Sequence, residues 1–332
     1  MSSEHQSDID ILQPETPSAS VTIQDIEDAA HKLDGIAHRT PLIYNELLSE
    51  QYQANIWLKR EDLQVVRSYK IRGAYNMIHS LPEAEIQHGV VCASAGNHAQ
   101  GVAFACRKKG IKGTIFMPVT APDQKVKQVN MFGREFVEVV LDGDTFDDAF
   151  ARATQFCEET NAAFIPPFDH PKIIAGQGTV GKELWEDADF SIDYIIAPVG
   201  GGGLSAGIGS YIKAYSPHTQ IIGVEPEGAP AMLKSIEAGR VVTLDEIDKF
   251  VDGAAVKKVG HYTFEICSKI LDQIITVPEG KVCGTILNLY NEQAIVVEPA
   301  GALSITALDN CKEQIKGKNV VCVLSGSNND IM

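Results

Sequence analysis

Lys70 is the first residue in this chain suited to covalent chemistry. It sits in SYKIRGAY, Ser68 to Tyr75, beside an aromatic and small residues and between a segment that reads as strand and one that reads as helix. A buried lysine gives up its charge readily and becomes an amine nucleophile, although most lysines stay in solvent. A second candidate is CASAGNHAQGVA, where Ser94, Ala95, Gly96, Asn97 and His98 form a strand-to-helix turn. Backbone N–H groups at a helix start bind anions such as a carboxylate; the plainer reading is a capped turn with His98 packed inside. A third is PVGGGGLSAG, in which Gly200, Gly201, Gly202 and Gly203 close an apolar strand and open a helix. Glycines let the backbone approach a ligand closely, and the helix N-terminus adds N–H groups and a favourable dipole. That makes a phosphate cradle without basic side chains. The fourth is VLSGSNND, where Ser325 ends another apolar strand. A reactive lysine, an anion-binding turn, a phosphate loop and a strand-end hydroxyl together suit a cofactor that carries both an aldehyde and a phosphate.

Such groups need a scaffold that gathers them. After Thr22, a suitable N-cap, the spacing predicts a helix over 22–33 with Ile23, Ile26 and Ala30 on one face. Strands are expected over 54–61, 89–94, 112–119, 134–141, 162–168, 193–199, 219–226 and 319–324. Helices are expected over 70–81, 97–110, 122–133, 145–160 (capped by Thr145), 173–187 and 204–215. Strands alternating with helices of this length argue for an α/β fold with parallel sheets covered on both faces. Ligands in open α/β sheets sit at the carboxyl ends of the strands, and all four candidates lie at strand-to-helix turns.

Composition narrows the partners. The formal charge of −16 repels phosphate backbones and anionic lipid, so neither nucleic acid nor a membrane surface is an expected partner. No run approaches the ~20 apolar residues needed to span a bilayer, and no secretory signal is expected. The seven cysteines are widely spaced without a C-x-x-C pair, which argues against a zinc ribbon or a thioredoxin-like motif. They are expected to be reduced and packed as small hydrophobes, in a cytoplasmic protein. Residues 1–20, rich in Ser, Asp, Glu, Gln and Pro, are expected to form a disordered tail.

From residue 22 to 330 the sequence resembles the fold-type II pyridoxal-phosphate (PLP) enzymes, and among them the biosynthetic threonine dehydratases. The resemblance rests on LKREDLQVVRSYKIRGAY, SAGNHAQGVA, GQGTV, VGGGGL, VEPEGA, VDGAAVKKVG, VEPAGALS and LSGSNND, in that order. It implies two open parallel-sheet domains of the tryptophan synthase β-like kind. A large PLP-binding domain would comprise 21–62 and 167–332, and a small domain 63–166. It implies that Lys70 carries PLP as a Schiff base and that Asn97 meets the cofactor's 3′-oxygen. Gly200, Gly201, Gly202, Gly203 and Leu204 would hold its phosphate, and Ser325 its pyridine nitrogen. Ser94, Ala95, Gly96, Asn97 and His98 would receive the substrate carboxylate. Tyr69 stands where relatives often have Phe, and Ser327 where they often have Gly or Ala. The implied reaction is dehydration and deamination of L-threonine to 2-oxobutanoate and ammonia, an L-threonine ammonia-lyase step toward isoleucine. Lys70 would serve as general base, and a neutral Ser325 would favour loss of the β-substituent.

The resemblance also frames the alternatives. Serine racemases share the lysine, asparagine and glycine motifs but carry a serine base where this chain has Ala95, which has no proton to exchange. Their divalent-cation site matches Glu225 and Ala229 here, but Ala231 replaces its acidic residue, so no bound divalent metal is expected. A catabolic L-serine/L-threonine dehydratase is the nearer alternative, with L-serine a secondary substrate because a pocket that accepts threonine's methyl excludes a smaller analogue poorly. A Rossmann oxidoreductase would need G-x-G-x-x-G with an acidic residue ~20 positions on. A catalytically silent PLP-binding protein would retain the same motifs and fail to turn over threonine. Relatives associate, so a homodimer or homotetramer is expected. The chain stops at Met332, directly after SGSNND, where relatives often continue into an isoleucine-binding domain. That regulatory domain is expected to be absent and isoleucine inhibition weak.

Overall fold

Thr22 caps the first helix, Ile23–Leu33, through a reciprocal box with Asp25. The computed structural model describes residues 21–329, so the expected tail over 1–20 lies outside the described residues. This helix buries Ile26, Ala29 and Leu33 rather than the expected Ala30. Positions three and four apart share a face, and the row through Ile26 and Leu33 passes through Ala29.

The strands form two sheets. In chain order they are β1 (Leu42–Tyr44), β2 (Asn55–Arg60), β3 (Val90–Ala93), β4 (Gly113–Met117), β5 (Val137–Leu141), β6 (Ala163–Phe164), β7 (Tyr194–Pro198), β8 (Gln220–Pro226), β9 (Gln273–Val277) and β10 (Asn319–Leu324). The larger sheet has the order β1-β2-β10-β7-β8-β9 and the smaller β5-β4-β3-β6. All pairs are parallel except β1–β2, an antiparallel edge that the expectation of purely parallel sheets did not include. Both sheets are covered on both faces. Along β10, Val320, Cys322 and Leu324 join one core and Val321 and Val323 the other. Along β3, Val90 and Cys92 face one way and Val91 and Ala93 the opposite way. Side chains alternate across a strand, so runs such as VVCVL are apolar throughout because neither face meets water.

Two other expectations change in detail. The strand expected over 162–168 stops at Phe164, because Pro166 and Pro167 have no N–H for the ladder. The segment 134–141 begins with a short 3₁₀ turn before β5. The sequence reading left 227–318 without elements; it contains β9 and helices Ala231–Ala238, His261–Ile270, Glu279–Gln293, Pro299–Thr306 and Leu308–Ile315.

A buried charged quartet ties the start of helix Lys70–Ser80 to its surroundings. Arg72 forks to Glu61 (2.7 and 2.8 Å) and to Glu183 (2.6 and 2.9 Å), and Lys59 reaches Glu183 at 2.6 Å. Thr179 Oγ1 accepts the remaining Arg72 N–H, the His38 carbonyl shares an Nη2 hydrogen at 3.2 Å, and Thr40 donates to Glu61. The glycines of GQGTV lie where helix Pro171–Asp187 packs closely against helices Lys70–Ser80 and Gly203–Tyr215, so this motif is a packing seam. Glu225, at the end of β8, accepts from the N–H groups of Met232 (2.7 Å) and Leu233 (2.9 Å) and caps helix Ala231–Ala238. All seven cysteines are free, and five of them are buried.

Candidate active site

The carboxyl ends of β3, β7 and β10 deliver Asn97, Gly200 and Ser325 to one cleft, and helix Lys70–Ser80 begins in it. The cleft is narrow and is lined by Tyr69, Lys70, Asn97, Pro198, Gly200, Gly253, Ala254, Glu298, Ala300 and Ser325. Four segments singled out for their chemistry thus converge across more than two hundred residues of chain. Gly253, Ala254 and Ala300 put only small side chains into its lining, and a Cβ on Gly253 would lie 2.9 Å from the Ala300 methyl.

Lys70 Nζ donates to the carbonyl of Pro167 at 2.9 Å and lies 5.4 Å from the Tyr69 ring centre. Desolvation in the cleft pulls the amine down to about 8, against the attraction of Glu298, so a reactive neutral fraction exists near physiological pH. Burial, and then Glu298, raises the Tyr69 phenol, which stays protonated. The backbone of Tyr69 holds the strand end in place, its N–H donating to the Ser325 carbonyl at 3.2 Å. Ser327, the departure from the family pattern, fits without disturbing Ser325: its N–H bonds the Arg67 carbonyl (2.9 Å) and its hydroxyl the Asp62 carbonyl (3.1 Å).

The glycine loop is aimed by what holds its back. Thr263 Oγ1 donates to the Gly201 carbonyl at 2.6 Å, and the Cys267 thiol to the Gly202 carbonyl at 3.6 Å. Gly202 has φ of +93°, a left-handed conformation that other residues adopt at a cost. Helix Gly203–Tyr215 has no side-chain cap, so its first N–H groups remain free for a ligand oxygen. The Leu204 side chain packs into the core, leaving only its backbone to the loop. A flat, phosphate-bearing group suits this arrangement: uncapped N–H groups for the phosphate, a lining of small residues for a ring, and an amine beside it.

The Ser94–His98 turn divides. Asn97 lines the cleft, and helix Asn97–Lys109 likewise lacks a side-chain cap. Ser94 accepts from the Gly96 N–H at 3.2 Å, within the turn. Ser94, Ala95 and Gly96 are half-buried beside Asn97 and outside the cleft's immediate lining. The His98 ring bonds the Ile165 carbonyl at 2.8 Å, is buried, and is pushed down to about 3 by burial and then by Lys70. It is a neutral packed histidine.

Glu298 was not singled out in the sequence. It is 3% exposed, and its carboxylate accepts from Asn97 Nδ2 (2.6 Å) and from the Asn328 N–H (3.1 Å). Burial, and then Asp252, pushes it up to about 7, while Asn97, Asn328 and Lys125 pull the other way. The VEPAGALS motif contains it, but a single acid after an apolar run gives no local signal of a ligand. Pro167, Gly253, Ala254 and Thr263 escaped for the same reason.

A family model described as "Pyridoxal-phosphate dependent enzyme" matches residues 33–326. The "L-threonine dehydratase biosynthetic IlvA" of Halalkalibacterium halodurans is 60% identical over 311 residues, which cover 94% of this chain and 75% of that protein. The structure of the processed form of threonine deaminase isoform 2 from Solanum lycopersicum superimposes with a TM-score of 0.89 at 40% identity, covering 93% of this chain and 85% of that one. The structure of maize serine racemase also gives a TM-score of 0.89, at 30% identity, covering 94% of this chain and 95% of that one.

Proposed function

Since the chain belongs to the pyridoxal-phosphate-dependent enzyme family, we propose that it removes water and ammonia from L-threonine and releases 2-oxobutanoate. The observation that carries this reading is the cleft that joins Lys70, Asn97, Gly200 and Ser325, in a chain 60% identical to a biosynthetic threonine dehydratase. Among the solved structures the threonine deaminase is 40% identical and two serine racemases 30% and 32%, and Ala95 offers no second base. Any role for the product in making isoleucine follows from the same dehydratase likeness.

When bound, PLP supplies a carbonyl that condenses with amines and a ring that accepts electrons from the substrate's α-carbon. Lys70 would hold it covalently through Nζ. Gly200 to Gly203 and Leu204 would give backbone N–H groups to its phosphate, Ser325 its hydroxyl to the ring nitrogen, and Asn97 an N–H to the 3′-oxygen. The N–H groups of the Ser94–His98 turn receive the substrate carboxylate. The Lys70 amine, lowered to about 8, would take the substrate's α-proton as general base near neutral pH. A neutral Ser325, unlike a carboxylate, would not hold the ring nitrogen protonated.

L-serine is a secondary substrate on this reading, and the enzyme is a cytoplasmic homodimer or homotetramer whose larger domain comprises 21–62 and 167–332. Among the described residues, no helix is long and apolar enough to cross a membrane. Leu287 and Tyr290, about 60% exposed on one helix, support self-association. The test is visible absorbance together with keto-acid release from L-threonine, with Lys70→Ala as control. A cofactor band and 2-oxobutanoate, both lost in the variant, are expected. A band without keto acid would remove the dehydratase assignment and leave the cofactor.

A further inference from the structure

Asn97 is held by two partners that decide which way round its amide sits. Asn328 Nδ2 donates to the Val66 carbonyl at 2.9 Å and to Asn97 Oδ1 at 2.7 Å. A backbone carbonyl only accepts, so Val66 dictates which end of the Asn328 amide carries nitrogen. That nitrogen can only donate, so it dictates that Asn97 turns its oxygen toward Asn328. The Asn97 nitrogen then faces the other way, where Glu298 Oε1 accepts one of its hydrogens at 2.6 Å. Glu298 Oε2 closes the ring by accepting from the Asn328 N–H at 3.1 Å.

The arrangement has two visible costs. Asn328 Oδ1 is buried without a partner, a loss that flipping this amide would exchange for two worse ones at Val66 and Asn97. Gly326 must also stay bare, since a Cβ there would lie 2.5 Å from Glu298 Oε1. Asn97 is left with one amide hydrogen unspent, on a side chain that lines the cleft.

We propose that Asn328 and Glu298 are positioning residues that lock the Asn97 amide as a donor toward the cleft. The locked amide can give a hydrogen bond to an electron-rich oxygen of the bound cofactor and cannot present its own oxygen there. The inference rests on the reading that PLP occupies the cleft. It adds two residues that act through Asn97.

The experiment titrates apoenzyme with PLP and records the cofactor's dissociation constant and the wavelength and pH dependence of its lysine-bound band, for the parent, Asn328→Ala, Asn97→Ala and the double variant. Loss of one oriented hydrogen bond weakens binding by about tenfold. Asn328→Ala is expected to show that loss with a shifted band, and the double variant to match Asn97→Ala alone, because Asn328 acts only through Asn97. Parent-like binding and spectrum for Asn328→Ala, or effects that add in the double variant, would overturn the proposal. If Asn328→Ala does not fold, Glu298→Ala, which removes the acceptor facing the Asn97 nitrogen, takes its place in the same cycle. A parent-like spectrum would again overturn the proposal. A parent without any Lys70-dependent band would instead sink the functional reading, and this inference with it.

Discussion

Replacing Arg72 with Met should show how far the buried quartet holds helix Lys70–Ser80 in place. Arg72 and Lys59 oppose Glu61 and Glu183, so the group is formally neutral; side-chain exposure is 2% for Arg72, and 0% for both Lys59 and Glu61. The substitution removes a guanidinium that makes four hydrogen bonds to carboxylates and leaves one negative charge uncompensated. Breaking a buried pair from one side costs about 3–5 kcal/mol, a large share of the ~5–15 kcal/mol that stabilises a typical domain. Arg72→Lys keeps the charge but not the fork, and should lose about half as much. The cost should also depend on pH. In the parent, burial pushes the Glu61 carboxyl up, but Arg72, Lys59 and Thr40 outweigh it and hold the group below its ordinary value of 4.5. Glu61 therefore contributes stability above that value and loses it only in acid. Without Arg72 burial dominates, the folded carboxyl rises above the unfolded one, and stability falls as pH rises through the new value. Urea unfolding followed by far-UV circular dichroism and by the fluorescence of Trp57 and Trp185, at pH 5 and pH 8, measures both effects. A loss under about 1 kcal/mol at pH 8, or an equal loss at the two pH values, would refute the argument.

Three further outcomes are expected. Thr263→Val frees the Gly201 carbonyl, lets the glycine loop turn and raises the PLP dissociation constant about tenfold; fluorescence titration of apoenzyme reads it. The rate at which apoenzyme captures PLP should rise with pH around a midpoint near 8, because only the neutral Lys70 amine attacks and the cleft has lowered its proton affinity from 10.5; stopped-flow absorbance from pH 6 to 10 would show a midpoint nearer 10 if the lysine were solvated. Ser325→Asp should slow 2-oxobutanoate formation by about tenfold or more, about 1.4 kcal/mol in the barrier, since a carboxylate would hold the ring nitrogen protonated; unchanged turnover would separate Ser325 from the choice of reaction.

What could be read without coordinates was whatever is local. Thr22 and Thr145 announce helix starts because a cap and its partner lie three residues apart. Strands β3, β4, β7, β8 and β10 are visible because burial on two faces makes their sequences largely apolar, whereas the edge strands β1 and β9 carry no such mark. Lys70, Asn97, the glycines at 200–203 and Ser325 stand out because strand-to-helix turns need small or capping residues, and the fold collects such turns at one edge. Tertiary structure alone decided the rest. The Asn97–Glu298 bond joins residues 201 positions apart, and Arg72 meets Glu183 across 111. Neither partner carries a mark in its own neighbourhood, since a carboxylate looks the same in sequence whether it faces solvent or an amide. Thr263 reads as an ordinary helix residue until its hydroxyl is seen behind Gly201. Local sequence chooses the elements because backbone conformation is settled over a few residues. Which way an amide points, or whether a charge is paired, is settled only when distant segments exclude water together.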